Sequence, residues 1–195
     1  MYDLKLEKSN LRKKSLEIRR AIPRGEKEAL DRRICLNIAG SASYKYYDTI
    51  LLYAALPDEP DLSELAVRAL SDGKRIAYPR CIPGGRLMEF RCVSSLAELT
   101  PGRFGINEPS EDAPAFDPSV SSCSLCLVPA VSADKNGYRI GYGGGYYDRF
   151  LSSYSGTVCT VVYSALLTTS VPHGKYDLRA DVIVTEGGIN AVVKA

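Results

Sequence analysis

The sequence predicts an α/β fold, a three-layer α/β/α sandwich with a mostly parallel central sheet, built as a single domain over residues 1–195. Three observations carry the expectation. Short apolar runs such as Thr49–Ala55 (TILLYAA) and Thr157–Tyr163 (TVCTVVY) are continuous and do not alternate, which suits strands covered on both faces. Helical patterns separate the strands, as a parallel sheet with helical crossovers requires. Finally, 195 residues with no internal repeat and no long linker are enough for one sizeable core and short for two.

Each element has its own signal. Residues Leu4 to Ile22 read as a helix with Leu4, Leu11, Ser15, Ile18 and Ile22 as a buried stripe, broken by Pro23 and Gly25. Glu26 to Ala39 repeats the pattern with Leu30, Ile34 and Ile38. Thr49–Ala55 is the first strand, and the loop Leu56 to Asp61 carries two prolines. Leu62–Leu70 is a short helix. Arg75–Pro79 (RIAYP) and Arg86–Cys92 are strands. Residues 101–122, rich in Pro, Gly, Ser and Asp, read as a surface excursion within the domain. Leu125–Val128 is a short buried strand. A glycine-rich loop, Asp134 to Gly145, leads into a helix through about Ser153. Thr157–Tyr163 and Ala180–Thr185 (ADVIVT) are strands, and Ile189–Val193 is an edge strand.

Composition narrows the function classes. A hydrophobic fraction of 45% and a charged fraction of 25% are those of an ordinary globular protein. The net charge of +2 does not mark the whole chain as a nucleic-acid binder. No apolar run approaches the roughly 18 residues that suggest a membrane span, and the charged N-terminus lacks a signal-peptide core. A cytoplasmic protein with free thiols at its six cysteines is expected.

The densest chemistry lies in DKNGYRIGYGGGYYDRFL, Asp134 to Leu151, where four glycines fall within Gly141–Gly145. Glycines let successive backbone N–H groups converge on an anion, and the helix start behind them adds a positive dipole end. Arg139 and Arg149 flank the loop and suit phosphate. Asp148 suits a hard cation such as magnesium. The loop is neither GxxxxGK[ST] nor GxGxxG, since Tyr146 stands where the last glycine of the latter would fall. On composition alone, a phosphate cradle and a plain turn before a helix remain equally open.

DxxGxRxGxGxGYYDRxL resembles the signature of the 5-formyltetrahydrofolate cyclo-ligases. Asp134, Gly137, Arg139, Gly141, Gly143, Gly145, Tyr146, Tyr147 and Asp148 fall in step, with Val128-Pro129 ahead of them. Further segments match in order: KSNLR (Lys8–Arg12), LPDEPDL (Leu56–Leu62), YPR (Tyr78–Arg80), FGINEP (Phe104–Pro109) and YDLRADVIVTE (Tyr176–Glu186). This chain departs from the pattern at Ala133, where phenylalanine is frequent, at Gly144, where some members carry lysine, and at Pro60, where an aliphatic residue is usual.

The resemblance implies an enzyme that uses ATP as co-substrate and Mg2+ as cofactor to convert 5-formyltetrahydrofolate to 5,10-methenyltetrahydrofolate, ADP and phosphate. It implies Lys8, Arg12, Arg139 and the segment Gly141, Tyr142, Gly143, Gly144, Gly145 and Tyr146 for ATP. It implies Glu59, Asp61, Tyr146 and Tyr147 for the folate, Arg139 and Tyr147 for catalysis, and Asp148 and Asp177 for the metal. The expected partners are a reduced folate and ATP, without nucleic acid or membrane, and the chain is expected to act as a monomer. At about 100° per residue, Lys5, Lys8, Arg12 and Arg19 share a roughly 60° sector of the first helix beside its apolar stripe, so the cations either face a cleft or form a solvated basic face.

Other signals are weaker. Cys123 and Cys126 form an isolated CxxC that reads as the start of a buried strand, without the second pair that a zinc site would need. His173 is the only histidine, and no GxSxG accompanies it. Two alternatives stand beside the cyclo-ligase reading. One is a sugar-phosphate isomerase whose glycine loop holds a substrate phosphate. The other is a nucleic-acid module led by the N-terminal helix, where 11 Lys and Arg meet six acidic residues in the first 33 positions.

Overall fold

The computed structural model describes residues 3–117 and 122–193. Five helices are present among them: α1 (Leu4–Arg20), α2 (Arg24–Gly40), α3 (Ala42–Tyr46), α4 (Ser63–Ser71) and α5 (Tyr146–Leu151). The central strands are β1 (Thr49–Leu51), β2 (Arg75–Ile82), β3 (Leu87–Val93), β6 (Ala115–Phe116), β7 (Ser124–Pro129), β10 (Thr157–Val161), β12 (Val182–Thr185) and β13 (Gly188–Ala191). Shorter strands are β4 (Thr100–Pro101), β5 (Asn107–Glu108), β8 (Ser132–Asp134), β9 (Arg139–Ile140) and β11 (Leu167–Thr168).

The main sheet has eight strands in the order β13-β12-β10-β7-β1-β2-β3-β6. The five from β12 to β2 are parallel, and β13, β3 and β6 add on antiparallel. Side-chain alternation sends the parallel strands to two cores. Ile50, Ile76, Leu125 and Cys159 pack on one face with Ile34 and Ile38 of α2 and Leu65 of α4. Leu51, Ala77, Cys126 and Val158 pack on the other with Phe150 and Leu151 of α5. Both faces of the central strands are therefore dry, which is why their sequences run apolar without alternation. The three layers are as expected, with α5 alone as the helix on the second face.

Topology directs attention to one place. From β1 the chain passes through α4 to β2 on one side, whereas β7, β10 and β12 follow on the other. The order therefore reverses between β1 and β7, and ligands of open α/β sheets bind in the crevice beyond the strand C-termini at such a point. The loop after β1 and the segment after β7 both open there.

Several boundaries depart from expectation. The first strand ends at Leu51 because the chain turns into the acidic loop, where the Tyr53 hydroxyl donates to Pro60 O at 2.8 Å. The helix α3 was not predicted; Ser41 caps it by accepting from Tyr44 N at 3.0 Å. The predicted loop at Asp134–Gly145 contains β9 and the last residue of β8, parts of a three-stranded sheet β11-β8-β9 whose two- and three-residue strands are too short for a periodic signal. Buried Asp134 organises its turn, accepting from Asn136 N, Tyr138 N and Val171 N. In the first helix Ile18 is 39% exposed and leaves the predicted stripe, whereas Ser15 is buried and Leu4, Leu11 and Ile22 are half-buried. The contact face runs through Leu11, Ser15, Leu16 and Arg19, because α1 packs on the small sheet at Val131, Ile140 and Val171 and not on the main one. Positions 118–121 of the expected surface excursion lie outside the described residues.

Candidate functional site

The glycine loop crosses the end of the crevice between β9 and α5. Gly143 and Gly145 have φ of +94° and +70°, a backbone that side chains rarely adopt, and a Cβ on Gly145 would lie 2.8 Å from Arg149 Nη1. The loop's carbonyls are held by arginines. Arg12 Nε donates to Gly141 O at 2.7 Å, and Arg149 Nη1 donates to Gly144 O and Gly145 O at 3.0 and 2.9 Å. By contrast, the N–H groups of residues 142–146 make no hydrogen bond among the described residues. A run of amides left free while the carbonyls are occupied is the electrostatic form of an anion cradle. The helix behind the loop has six residues, so its dipole adds little and the amides and cations carry the positive potential.

The basic face of α1 is turned into the protein. Lys8 Nζ donates to both oxygens of Asp177, at 2.7 and 2.5 Å. Arg12 reaches the glycine loop, and the Arg19 side chain is fully buried. Only Lys5 of the four aligned cations is exposed. Lys8, Arg12 and Arg19 thus form a built site edge, while Lys13, Lys14, Arg20 and Arg24 remain exposed.

Arg139 is 8% exposed and does not point at the loop amides. Its Nη2 donates to Asp148 Oδ1 at 2.9 Å and its Nη1 to Leu178 O at 2.9 Å. Asp148 Oδ1 also accepts from Leu178 N at 3.3 Å, while Oδ2 receives no hydrogen bond among the described residues. Asp177 Oδ2 accepts from Gly174 N at 2.6 Å in addition to Lys8. The structure thus places Asp148 and Asp177 at the two ends of the short stretch Asp177–Leu178, each already facing a cation. Among the described residues no cluster of three His, Cys, Asp or Glu side chains forms a ready metal cage. A magnesium ion that keeps several waters and takes one or two carboxylates together with phosphate oxygens does not need one, and the free Oδ2 of Asp148 fits that mode.

The acidic loop lies across the crevice. Glu59 is 4% exposed, accepts from Leu56 N at 2.9 Å and has Arg19 Nη1 3.8 Å from Oε1. Burial raises its carboxyl above the ordinary value, with the Leu56 N–H and the Arg19 charge opposing. Asp61 is exposed and holds the start of α4, accepting from Ser63 N and Oγ at 2.9 and 2.6 Å. Beside this loop, at the C-terminal ends of β1 and β2, is a cavity of about 270 Å³ lined by Tyr53, Leu56, Asp61, Tyr78, Leu99 and Asn107. A larger hollow of about 560 Å³ near Tyr154 and Arg179 shares only Asp177 with the predicted site residues and lies away from the glycine loop and the acidic loop.

The tyrosines divide by role. Tyr147 packs against the α5-side core, and burial pushes its phenol well above the usual range, so it is a donor and not a base near neutrality. Tyr146 faces outward, edge-on to Phe104 with centroids 6.1 Å apart. Phe104 is 66% exposed at φ +58°, rare for a bulky residue. Sequence reasoning noted its segment but not this residue. It assigned Tyr142 to the loop backbone, whereas the Tyr142 hydroxyl accepts from Arg19 Nη2. The three departures have simple outcomes. Ala133 is fully buried on β8, Pro60 is buried with its carbonyl on Tyr53, and Gly144 leaves room for the Tyr146 ring. The CxxC is no redox pair: Cys123 is exposed, Cys126 is buried on β7, and burial raises the Cys126 thiol far above its usual range.

Comparisons with known proteins bear on the family and the fold. A curated protein of Schizosaccharomyces pombe, a probable 5-formyltetrahydrofolate cyclo-ligase, is 31% identical over 62% of this chain, and the match spans 60% of the yeast protein's length. The 5-formyltetrahydrofolate cyclo-ligase of Mycolicibacterium smegmatis is 29% identical over 91% of this chain and 93% of its own. The NMR structure of 5,10-methenyltetrahydrofolate synthetase from Aquifex aeolicus superposes with a TM-score of 0.84 at 31% identity, covering 96% of this chain and 94% of that one. The synthetase from Mycoplasma pneumoniae shares the fold, with a TM-score of 0.74 at 24% identity over 92% and 99% of the two chains. The sequence profile of the family matches residues 4–186, a span that holds the N-terminal cations, the acidic loop, the glycine loop and both aspartates, and the chain belongs to the 5-formyltetrahydrofolate cyclo-ligase family.

Proposed function

We infer that the chain closes 5-formyltetrahydrofolate to 5,10-methenyltetrahydrofolate with consumption of ATP and release of ADP and phosphate. The observation that carries this reading is the glycine loop with its carbonyls tied by Arg12 and Arg149 and its amides 142–146 free, facing the acidic loop across the sheet's switch point. In this reading the free amides hold the polyphosphate, with Lys8 and Arg12 as flanking charges. The Lys8 side chain, partly exposed and paired with Asp177, turns to phosphate when ATP arrives and frees that carboxylate.

Asp148 and Asp177 would hold magnesium, whose charge offsets that of the phosphoryl group in transfer. Arg139 fixes Asp148 through one carboxylate oxygen and leaves the other directed to ligand, so it acts by positioning. The folate lies on the acidic-loop side. Glu59 accepts hydrogen bonds from the pterin, Asp61 borders the cavity, Tyr146 and Phe104 present ring faces, and Tyr147 supplies a phenolic donor. The formyl oxygen attacks the γ-phosphate, the second folate nitrogen attacks the activated carbon, and phosphate leaves as the ring closes. This needs alignment and charge neutralisation more than a protein nucleophile. Free thiols at the cysteines fit the cytoplasmic setting of this reading.

The reading is tested by measuring ADP release with and without 5-formyltetrahydrofolate. Release that requires the folate and matches product one to one is expected; folate-independent release would point to a different acceptor.

A further inference from the structure

Arg19, in the last turn of α1, has a fully buried side chain. A guanidinium out of water needs charged or polar partners, and here they come from two loops distant in sequence. Nε and Nη2 lie 3.1 Å from Asp58 Oδ2, and Nη1 lies 3.8 Å from Glu59 Oε1. Nη2 also donates to the Tyr142 hydroxyl, with the guanidinium 5.6 Å from the centre of that ring. Exposed Arg20 adds a second, looser cation 3.7 Å from Asp58. One residue of α1 therefore touches both walls of the crevice, the acidic loop and the glycine loop.

The arrangement is not the one that stability alone would select. Nη1 is buried and makes no hydrogen bond, and buried ion pairs of this kind contribute less to stability than a well-packed apolar replacement, their best-attested use being to fix register. Other ties hold each wall separately: Arg12 and Arg149 bind the glycine-loop carbonyls, and Tyr53 binds Pro60 O in the acidic loop. Tyr142 is 49% exposed and is followed by Gly143 at positive φ. The Glu59 carboxylate accepts a single hydrogen bond besides the Arg19 ion pair, from Leu56 N, and the Glu59 N–H donates to Leu56 O. The other groups whose charge or phenol acts near Glu59 are Asp58, Lys27, Tyr53, Tyr142 and Tyr147. Of all these, Arg19 is the one bonded to both loops.

We propose that Arg19 is a positioning residue that locks the glycine loop, through Tyr142, in register with the Glu59 carboxylate across the crevice, and so aligns the phosphate side of the site with the folate side. The proposal rests on the functional reading above. Misalignment of two intact half-sites lowers the rate of the step between them more than it lowers the binding of either ligand. Lysine keeps the charge but not the fork that reaches two partners.

The test uses the full chain and two variants, Tyr142→Phe, which removes only a hydroxyl from a half-exposed ring, and Arg19→Lys. Nitrogen-15 relaxation of the ligand-free protein reads the Gly143, Gly144 and Gly145 amides, with the β7 amides as the control for general loosening. The order parameters of the three glycines are expected to fall towards the flexible range, below about 0.6, in both variants while β7 stays near about 0.85. The turnover number is expected to fall about tenfold, as for a lost charge-assisted hydrogen bond, with KM for ATP and for the folate changed less than threefold. Unchanged glycine order parameters in Tyr142→Phe would overturn the lock. Loosened glycines with unchanged turnover would overturn its role in alignment. A wild-type protein without turnover would instead remove the functional reading, and the relaxation data would still decide whether Arg19 holds the loop.

Discussion

Replacing Asp148 with asparagine separates chemistry from architecture at the centre of the site. Asp148 Oδ1 accepts from Arg139 Nη2 at 2.9 Å and from Leu178 N at 3.3 Å. An asparagine carbonyl can keep both bonds, so the change removes a negative charge and turns the free oxygen into a donor. The Arg139 end of the pair is 5% exposed and the Asp148 end 32%, so solvent screens part of the interaction. The structural cost is then the difference between a charge-assisted and a neutral hydrogen bond, about 1 kcal/mol. In a chain of this size that lowers Tm by about 2–4 °C. The functional cost is larger if Oδ2 serves the magnesium that accompanies ATP. By analogy with the removal of one preorganised electrostatic contact, turnover should fall about 100- to 1,000-fold, which is about 3–4 kcal/mol of transition-state stabilisation. The assay follows the near-ultraviolet absorbance of the methenyl product across a magnesium titration, beside a thermal melt. The expected result is a small Tm change, a large loss of turnover and a higher half-saturating magnesium concentration. Turnover within threefold of wild type, with the same magnesium dependence, would refute the assignment of Asp148.

Three further outcomes follow from the same geometry. Lys8→Ala should raise KM for ATP about tenfold and cost under about 1 kcal/mol of stability, since the Lys8–Asp177 pair is partly exposed on both sides; an unchanged KM in steady-state kinetics would take the N-terminal helix out of the ATP site. Gly145→Ala should destabilise by about 1–2 kcal/mol, because φ is +70° and the new Cβ would press on Arg149, and denaturant unfolding reads it; a neutral result would show that the loop relaxes freely. Glu59→Gln tests a pH dependence. Burial raises the Glu59 carboxyl above its ordinary 4.5, so the folded state binds the proton more tightly than the unfolded one. Its contribution to stability is present below the unfolded value and is lost as pH rises through the raised folded value. The Tm of the glutamine variant relative to wild type should therefore rise as pH increases from 4.5 through that value, and a relative Tm that falls over the same range would contradict the sign.

The parts of this account that were legible in the sequence are those with a local signal. Continuous apolar runs marked β1, β7 and β10 because both of their faces are covered, and Ile34 and Ile38 marked the buried side of α2. The glycine loop was visible through its composition, but its use was not. The carbonyl at its start, Gly141 O, is held by Arg12, which lies 129 residues away. The β8–β9 hairpin escaped notice because it spans too few residues to show a period. Arg19 was grouped with the other cations of α1 by helical angle, yet nothing in the sequence shows that it is buried while Ile18, its neighbour, is exposed. That inversion follows from what α1 packs against, a small sheet whose strands lie more than 100 residues downstream. Arg139 was expected to meet phosphate, and the structure turns it to Asp148 and Leu178 O, because a guanidinium this deep takes the nearest carboxylate and carbonyl.

In the proposed function the two walls of the switch-point crevice bring ATP and a formylated reduced folate together. It is tested most directly by incubating the purified full-length chain with 5-formyltetrahydrofolate and magnesium, with and without ATP, and recording the near-ultraviolet absorbance of the methenyl product. Product is expected only when ATP is present. A folded, magnesium-supplied protein that forms none would contradict it, leaving the α/β fold in place and making phosphorylated sugars the next substrates to try.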